Sequence, residues 1–119
     1  MADRPLPELV YRGLARRWKE GDSVSLNAFR RGPNDRTGLS IGFAEAVLPE
    51  FYRGTKGCAT IRIAHLLSLG LSVIADDDRH GNIVGLPPFV TEAEDPEGYG
   101  KAEQFADLIR SRLVSVKWY

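Results

Sequence analysis

A chain of 119 residues has the length of one domain built around a single core. Its 43% hydrophobic and 27% charged residues are those of a globular fold, and a formal net charge of +0 supplies no overall field toward nucleic acid or an anionic membrane. One cysteine, Cys58, excludes an intrachain disulfide and fits a reducing cytoplasm, the expected location.

The balance hides an asymmetry: residues 1–62 carry a net +4 and residues 63–119 a net −4. Such a split suits head-to-tail homo-oligomerisation or one basic face, unless folding simply interleaves the charges. The opening "MADRPLPELVYRG" lacks the basic-then-apolar order of a secretory signal. No stretch approaches the ~18 uninterrupted apolar residues of a membrane span.

In chain order, "PLPELVYRGL" carries Leu6, Leu9, Val10 and Leu14 at helical spacing, but Pro5, Pro7 and Gly13 oppose a helix. A strand through Arg12 is expected, followed by a helical turn in "LARRWKE". Trp18, at helical spacing from Leu14, reads as core packing. In "GDSVSLNAF", Val24, Leu26 and Ala28 share one face of an expected strand. "RRGPNDRTG" is a loop, with Gly32-Pro33-Asn34-Asp35 as its turn. "GFAEAVLPEFYRG" predicts a helix, since Phe43, Val47 and Phe51 recur every four residues, with Pro49 as a kink or second start.

Ala59, Ile61 and Ile63 alternate with Thr60, Arg62 and Ala64, the pattern of a half-buried strand in which Cys58 is an inert buried thiol. "AHLLSLG" predicts a helical turn closed by Gly70. "LSVIA" and "NIVGL" predict two strands joined by an aspartate-rich segment, and Pro87-Pro88 stops the second. "DPEGYGKAEQFADLIRSRLVSVKW" predicts the main helix, capped by Asp95 with Pro96 at its first position. Ala102, Phe105, Ile109, Leu113 and Val116 form its expected core stripe. The sum is a single α+β domain over residues 1–119, several short strands with a C-terminal helix packed on the sheet.

The segment "ADDDRHGNI" invites a calcium reading, because Asp76, Asp78, His80, Gly81 and Ile83 match positions of an EF-hand loop. That loop demands a bidentate Glu where Pro87 stands, and its flanks are strands rather than helices. His80 has no second histidine at ligand spacing, so no metal site is expected. His80 enters a strand straight from a turn, where a side chain often projects into a cleft; it reads as a structural histidine or, since an imidazole titrates near neutrality, as a general acid or base. Arg12 in "VYRGL" can present its planar fork to phosphate or carboxylate. Ser40 in "DRTGLSIG" can meet a ligand through its hydroxyl, although the G-x-S-x-G frame of a nucleophile elbow is missing. No Walker-type loop or dinucleotide fingerprint occurs among the twelve glycines, and no cofactor is expected.

The ordered elements Arg12, "VSLNAF" (24–29), Asp35, "GLSI" (38–41), "GCA" (57–59), "SLGLSVIADD" (68–77) and "HGNI" (80–83) resemble a family of small uncharacterised bacterial proteins. The likeness spans residues 9–86 and departs at residue 81, a glycine where such proteins tend to carry alanine. It implies a fold, a bacterial source and a mobile-element or defence context, and draws attention to Arg12, Asp35, Ser40 and His80. The order Arg12, Ser40, Glu92-x-Glu94 is also similar to Arg-Ser-Glu ADP-ribosyltransferases, in which arginine and serine hold NAD and the glutamate stabilises an oxocarbenium-like ribose. Here the glutamates follow Pro87-Pro88 and precede a helix cap, a loop-surface context.

The expected function is therefore a binding or accessory module recognising a protein partner or a small anionic ligand, with Arg12, Asp35 and Ser40 as ligand contacts. The alternatives are a small enzyme or toxin acting on a nucleotide or NAD-like substrate, with His80 as its catalytic group, and an RNA-binding protein using Arg12, Arg16, Arg17 and Lys19. Neutral overall charge argues against the last. All site expectations share one premise, that Arg12, Ser40 and His80 line one concave wall.

Overall fold

The computed structural model describes residues 6–35 and 38–119; residues 1–5, with Pro5 of the opening segment, and residues 36–37, within the expected loop, lie outside the described residues. Its centre is a six-stranded antiparallel sheet of order β6-β7-β4-β1-β5-β8. The strands are β1 (Leu9–Leu14), β4 (Leu39–Gly42), β5 (Gly57–Arg62), β6 (Ser72–Ala75), β7 (His80–Val84) and β8 (Ser115–Trp118). A separate hairpin pairs β2 (Lys19–Glu20) with β3 (Ser23–Val24). Three helices complete the fold: α1 (Leu48–Phe51), α2 (Ile63–Ser68) and α3 (Pro96–Arg110). The chain is an α+β domain, as its pattern predicts.

Register assigns every strand residue to a face, because directly paired residues point the same way and neighbours alternate. Val10↔Ile61, Arg12↔Ala59, Leu39↔Ile83 and Val73↔Ile83 place these side chains on the inner face, with Leu14 and Ile41. There they join Ala106 and Ile109 of α3, Ile63 and Leu66 of α2, and the fully buried Phe29 in one core. Tyr11↔Gly42, Gly42↔His80 and Ser40↔Asn82 place Tyr11, Ser40, His80 and Asn82 on the outer face. The segment from Glu45 to Phe51 crosses that face. Gly42 permits the approach, since a Cβ there would stand 2.9 Å from Val47 Cγ2.

Several local expectations are corrected. Val24 ends β3, and Leu26–Phe29 wind into a 3-10 turn in place of a continued strand. Ser25 is the cause: its hydroxyl accepts from the Asn27 amide and starts the turn. The expected helix over "GFAEAVLPEFYRG" shrinks to a 3-10 turn (Glu45–Val47) and the single turn of α1, with Pro49 in the first turn and Phe43 outside. Ile63 starts α2 rather than extending β5. The C-terminal helix ends at Arg110. Val116 belongs to β8, where it pairs Ala59. Asp95 caps α3 as expected, accepting from Gly98, and Gly70 leaves α2 at φ 80°. Among the described residues no helix is long and apolar enough to cross a membrane.

Candidate functional site

β1 and β4 share one bridge, Tyr11↔Gly42, whereas β1 and β5 pair over six positions. Past Tyr11 the two neighbours cease to pair, and carbonyls along this notch need other donors. Arg12 supplies them. Its Nε donates to the Ala28 carbonyl at 2.9 Å and its Nη1 to the Ser40 carbonyl at 2.9 Å. The guanidinium carbon lies 5.4 Å from the centroid of the Trp18 ring, a cation–π distance. Desolvation in this setting draws the Arg12 pKa down to about 10, with the charge of Asp35 acting in the opposite direction. The group is still a cation at neutral pH. It forms no ion pair with a described carboxylate.

On the outer face three side chains form a connected relay. Ser40 Oγ lies 2.6 Å from His80 Nε2, and His80 Nδ1 lies 2.6 Å from Asp76 Oδ2. An ionised carboxylate only accepts, so Nδ1 carries the hydrogen toward Asp76, and in the neutral ring Nε2 then accepts from the Ser40 hydroxyl. Asn82 Nδ2 approaches the same carboxylate at 3.3 Å. The Phe51 ring lies 4.5 Å from the imidazole, tilted by 54°, and covers it. His80 is only 17% exposed at its side chain, whereas Asp76 is 53% exposed.

The aspartate turn thus divides its labour. Asp76 orients His80, and Asp77 builds the bend by accepting from the amides of Arg79 and His80 at 2.8 and 2.9 Å. Those two amide bonds hold the Asp77 carboxyl below its usual range. Arg79 reaches away to pair with Glu50 of α1. Among the described residues, no group of three His, Cys, Asp or Glu side chains could hold a metal ion. His65 is distant in role, its Nε2 meeting the Leu108 carbonyl at 2.8 Å to tie α2 to α3.

A cavity of about 950 Å³ opens at the notch. Arg12, Arg17, Arg30 and Arg31 line it, with Ser40 and the apolar Leu48 and Phe51, and with Asp35 and Glu92 as its acids. Arg30 is held over the Tyr99 ring, 4.0 Å from its centroid, and donates to the Tyr99 hydroxyl at 3.0 Å. Arg31 donates to the carbonyls of Asp35 and Leu86 and stiffens the loop. Asp35, expected as a ligand contact, lines the cavity and accepts from the Gly32 amide through Oδ2 at 2.7 Å, closing the same loop.

The premise of one shared wall needs correction. Ser40 and His80 are bonded, but Arg12 leaves β1 on the opposite face of the sheet, because strand alternation sends it inward with Val10 and Leu14. Arg12 meets β4 only at the Ser40 carbonyl, and both reach the cavity because it runs through the notch. His80 does not line the cavity; Ser40 stands in front of it. Glu92 is on an exposed loop, as its context predicts, and sits at the cavity wall with Arg12 and Ser40. Glu94 accepts from the Thr91 hydroxyl. The basic run loses Arg12 to the interior, leaving Arg16, Arg17 and Lys19 exposed.

Asp76 and Phe51 are neighbours of His80 that the sequence does not assign to it; Asp76 reads there only as an EF-hand position, and Phe51 only as part of a helical spacing. An Asp four positions before a His across a tight bend was the available signal for the first. No family model, curated protein or solved structure matches this chain.

Proposed function

We propose that the notch cavity binds a small anionic ligand carrying a phosphate or carboxylate, anchored by Arg12. One observation carries this reading: an enclosed guanidinium, its pKa drawn down to about 10, reaches the cavity, and among the described residues it is bonded to carbonyls and lies by an aromatic ring, with the Asp35 charge acting on it but forming no ion pair. A ligand anion would supply the countercharge in a setting that strengthens the attraction. Arg17 and Arg30 add positive charge to the same wall, and the volume suits a nucleotide-sized molecule.

The test is a thermal-shift and calorimetry panel of inorganic phosphate, AMP, ADP and NAD. A ligand at 100 times its Kd stabilises by about 2.7 kcal/mol, which raises Tm by roughly 11 °C in a domain of this length. Arg12→Met should abolish the shift. No shift from any member, or equal shifts in wild type and Arg12→Met, refutes the reading. A second reading, an enzyme acting on the bound molecule, is favoured by the Ser40–His80–Asp76 relay beside the same cavity.

A further inference from the structure

From the cavity across the outer face toward solvent the order is hydroxyl, imidazole, carboxylate: Ser40 lines the cavity, His80 bonds it from behind, and Asp76 holds the far ring nitrogen. A serine hydroxyl is a weak nucleophile until an adjacent base can take its proton, and the base works best when a third group sets its tautomer and orientation. All three conditions meet here, with both links at 2.6 Å. Phe51 over the imidazole keeps water from one face of the base.

We infer that Ser40 is a nucleophile, activated by His80 and oriented by Asp76, that hydrolyses a carboxylic ester of a small anionic molecule through an acyl-serine. In the first half, Ser40 Oγ bonds to the ester carbon while its proton passes to His80 Nε2. The carbonyl electron pair moves onto oxygen and returns as the C–O bond to the leaving alcohol breaks, and His80 protonates that alcohol. In the second half, water gives a proton to His80 and attacks the acyl carbon, and Ser40 leaves with the proton restored. His80 and Ser40 are the catalytic residues; Asp76 is a positioning residue.

The choice of substrate rests on the anionic-ligand reading. Leu48 and Phe51 offer an apolar wall on the serine side of the notch, suited to an acyl chain. The guanidiniums of Arg12, Arg17 and Arg30 line the same cavity and suit a carboxylate or phosphate elsewhere in the molecule. An ester that is apolar at the reacting end and charged at the other matches both.

The experiment incubates the wild-type protein with a fluorophosphonate and maps the adduct by mass spectrometry. One adduct on Ser40 is expected, read without any substitution. In parallel, mono-p-nitrophenyl succinate should be hydrolysed at least roughly tenfold faster, in kcat/KM, than p-nitrophenyl acetate. His80→Gln should slow both labelling and hydrolysis by at least about 100-fold. Asp76→Asn should lower kcat, counted per fluorophosphonate-titrated site, by about tenfold or more and leave KM unchanged; counting titrated sites removes any loss of folded protein from the comparison. Phosphate or nucleotide binding without a Ser40 adduct overturns the nucleophile and leaves the anion site standing. A Ser40 adduct with neither anion binding nor preference for the charged ester upholds the nucleophile and overturns the substrate assignment.

Discussion

Gly81 lies between the relay histidine and Asn82, and Gly81→Ala tests the packing around the site. A Cβ built at Gly81 would stand 2.8 Å from the Ile74 carbonyl oxygen and 2.8 Å from Phe43 Cζ, whereas ordinary contact begins at 3.4 Å. Something must yield by roughly 0.6 Å. The Phe43 ring can turn, but the carbonyl belongs to β6, which is held to β7 through Ile74↔Asn82 and Ala75↔Gly81. Overpacking of this kind costs about 1–3 kcal/mol. With an unfolding entropy of ~2.1 cal/mol/K per residue, the chain loses about 4 °C of Tm per kcal/mol, so a fall of about 4–12 °C is expected. Backbone strain is not the cause, since Gly81 is not among the glycines of positive φ. Gly100→Ala is the paired control: it lies inside α3 with nothing within 4 Å of a built Cβ. Removing a glycine from a helix gains about 0.5–1 kcal/mol, a rise of roughly 2–4 °C. Differential scanning calorimetry reads both. A Gly81→Ala protein as stable as wild type would refute the placement of β6 and Phe43 against β7.

Asp77→Ala removes the acceptor of two turn amides and should lower Tm at pH 7. Because the folded state holds this carboxyl below its usual value, its contribution is present above the unfolded pKa and lost as pH falls through the folded one, so the gap from wild type should close in acid melts. Cys58 is buried, and desolvation pushes its thiol up to about 11; native protein should resist iodoacetamide at pH 8 and react quickly in urea. The same shift stabilises the fold below the ordinary thiol value and is lost as pH rises through about 11, which alkaline melts of Cys58→Ala against wild type can detect. Phe29→Ala empties the largest fully buried side chain of the core, costs about 3–5 kcal/mol and should lower Tm by roughly 12–20 °C.

Much of the middle of the chain is readable from pattern alone. The run from β5 through α2 to β7 has clean alternation, a glycine stop and a turn rich in aspartate, each acting within a few residues. β8 was hidden because Ile109, Leu113 and Val116 are spaced four and three apart, which continues a helical stripe across a real helix end. The inward direction of Arg12 was available, since alternation in "LVYRGL" groups it with Val10 and Leu14, but a charge on a core face runs against the usual expectation. The Ser40–His80 bond was beyond any local pattern. It needs the pairing of β4 with β7 across forty residues, and register between distant strands is set by the core and not by the residues that benefit. The Asp76–His80 contact, four residues apart across a tight bend, was legible locally.

The single bridge between β1 and β4 divides the sheet into two three-stranded leaves, β6-β7-β4 and β1-β5-β8, stitched at Tyr11 and Gly42 and buttoned lower down by one arginine. A seam held by so few backbone bonds opens before either leaf frays, so amide exchange along the edge of β4 that faces β1 should outpace exchange within β5. An anion drawn to Arg12 would tighten that button, and slower exchange at the seam on adding phosphate would report the two leaves moving as one.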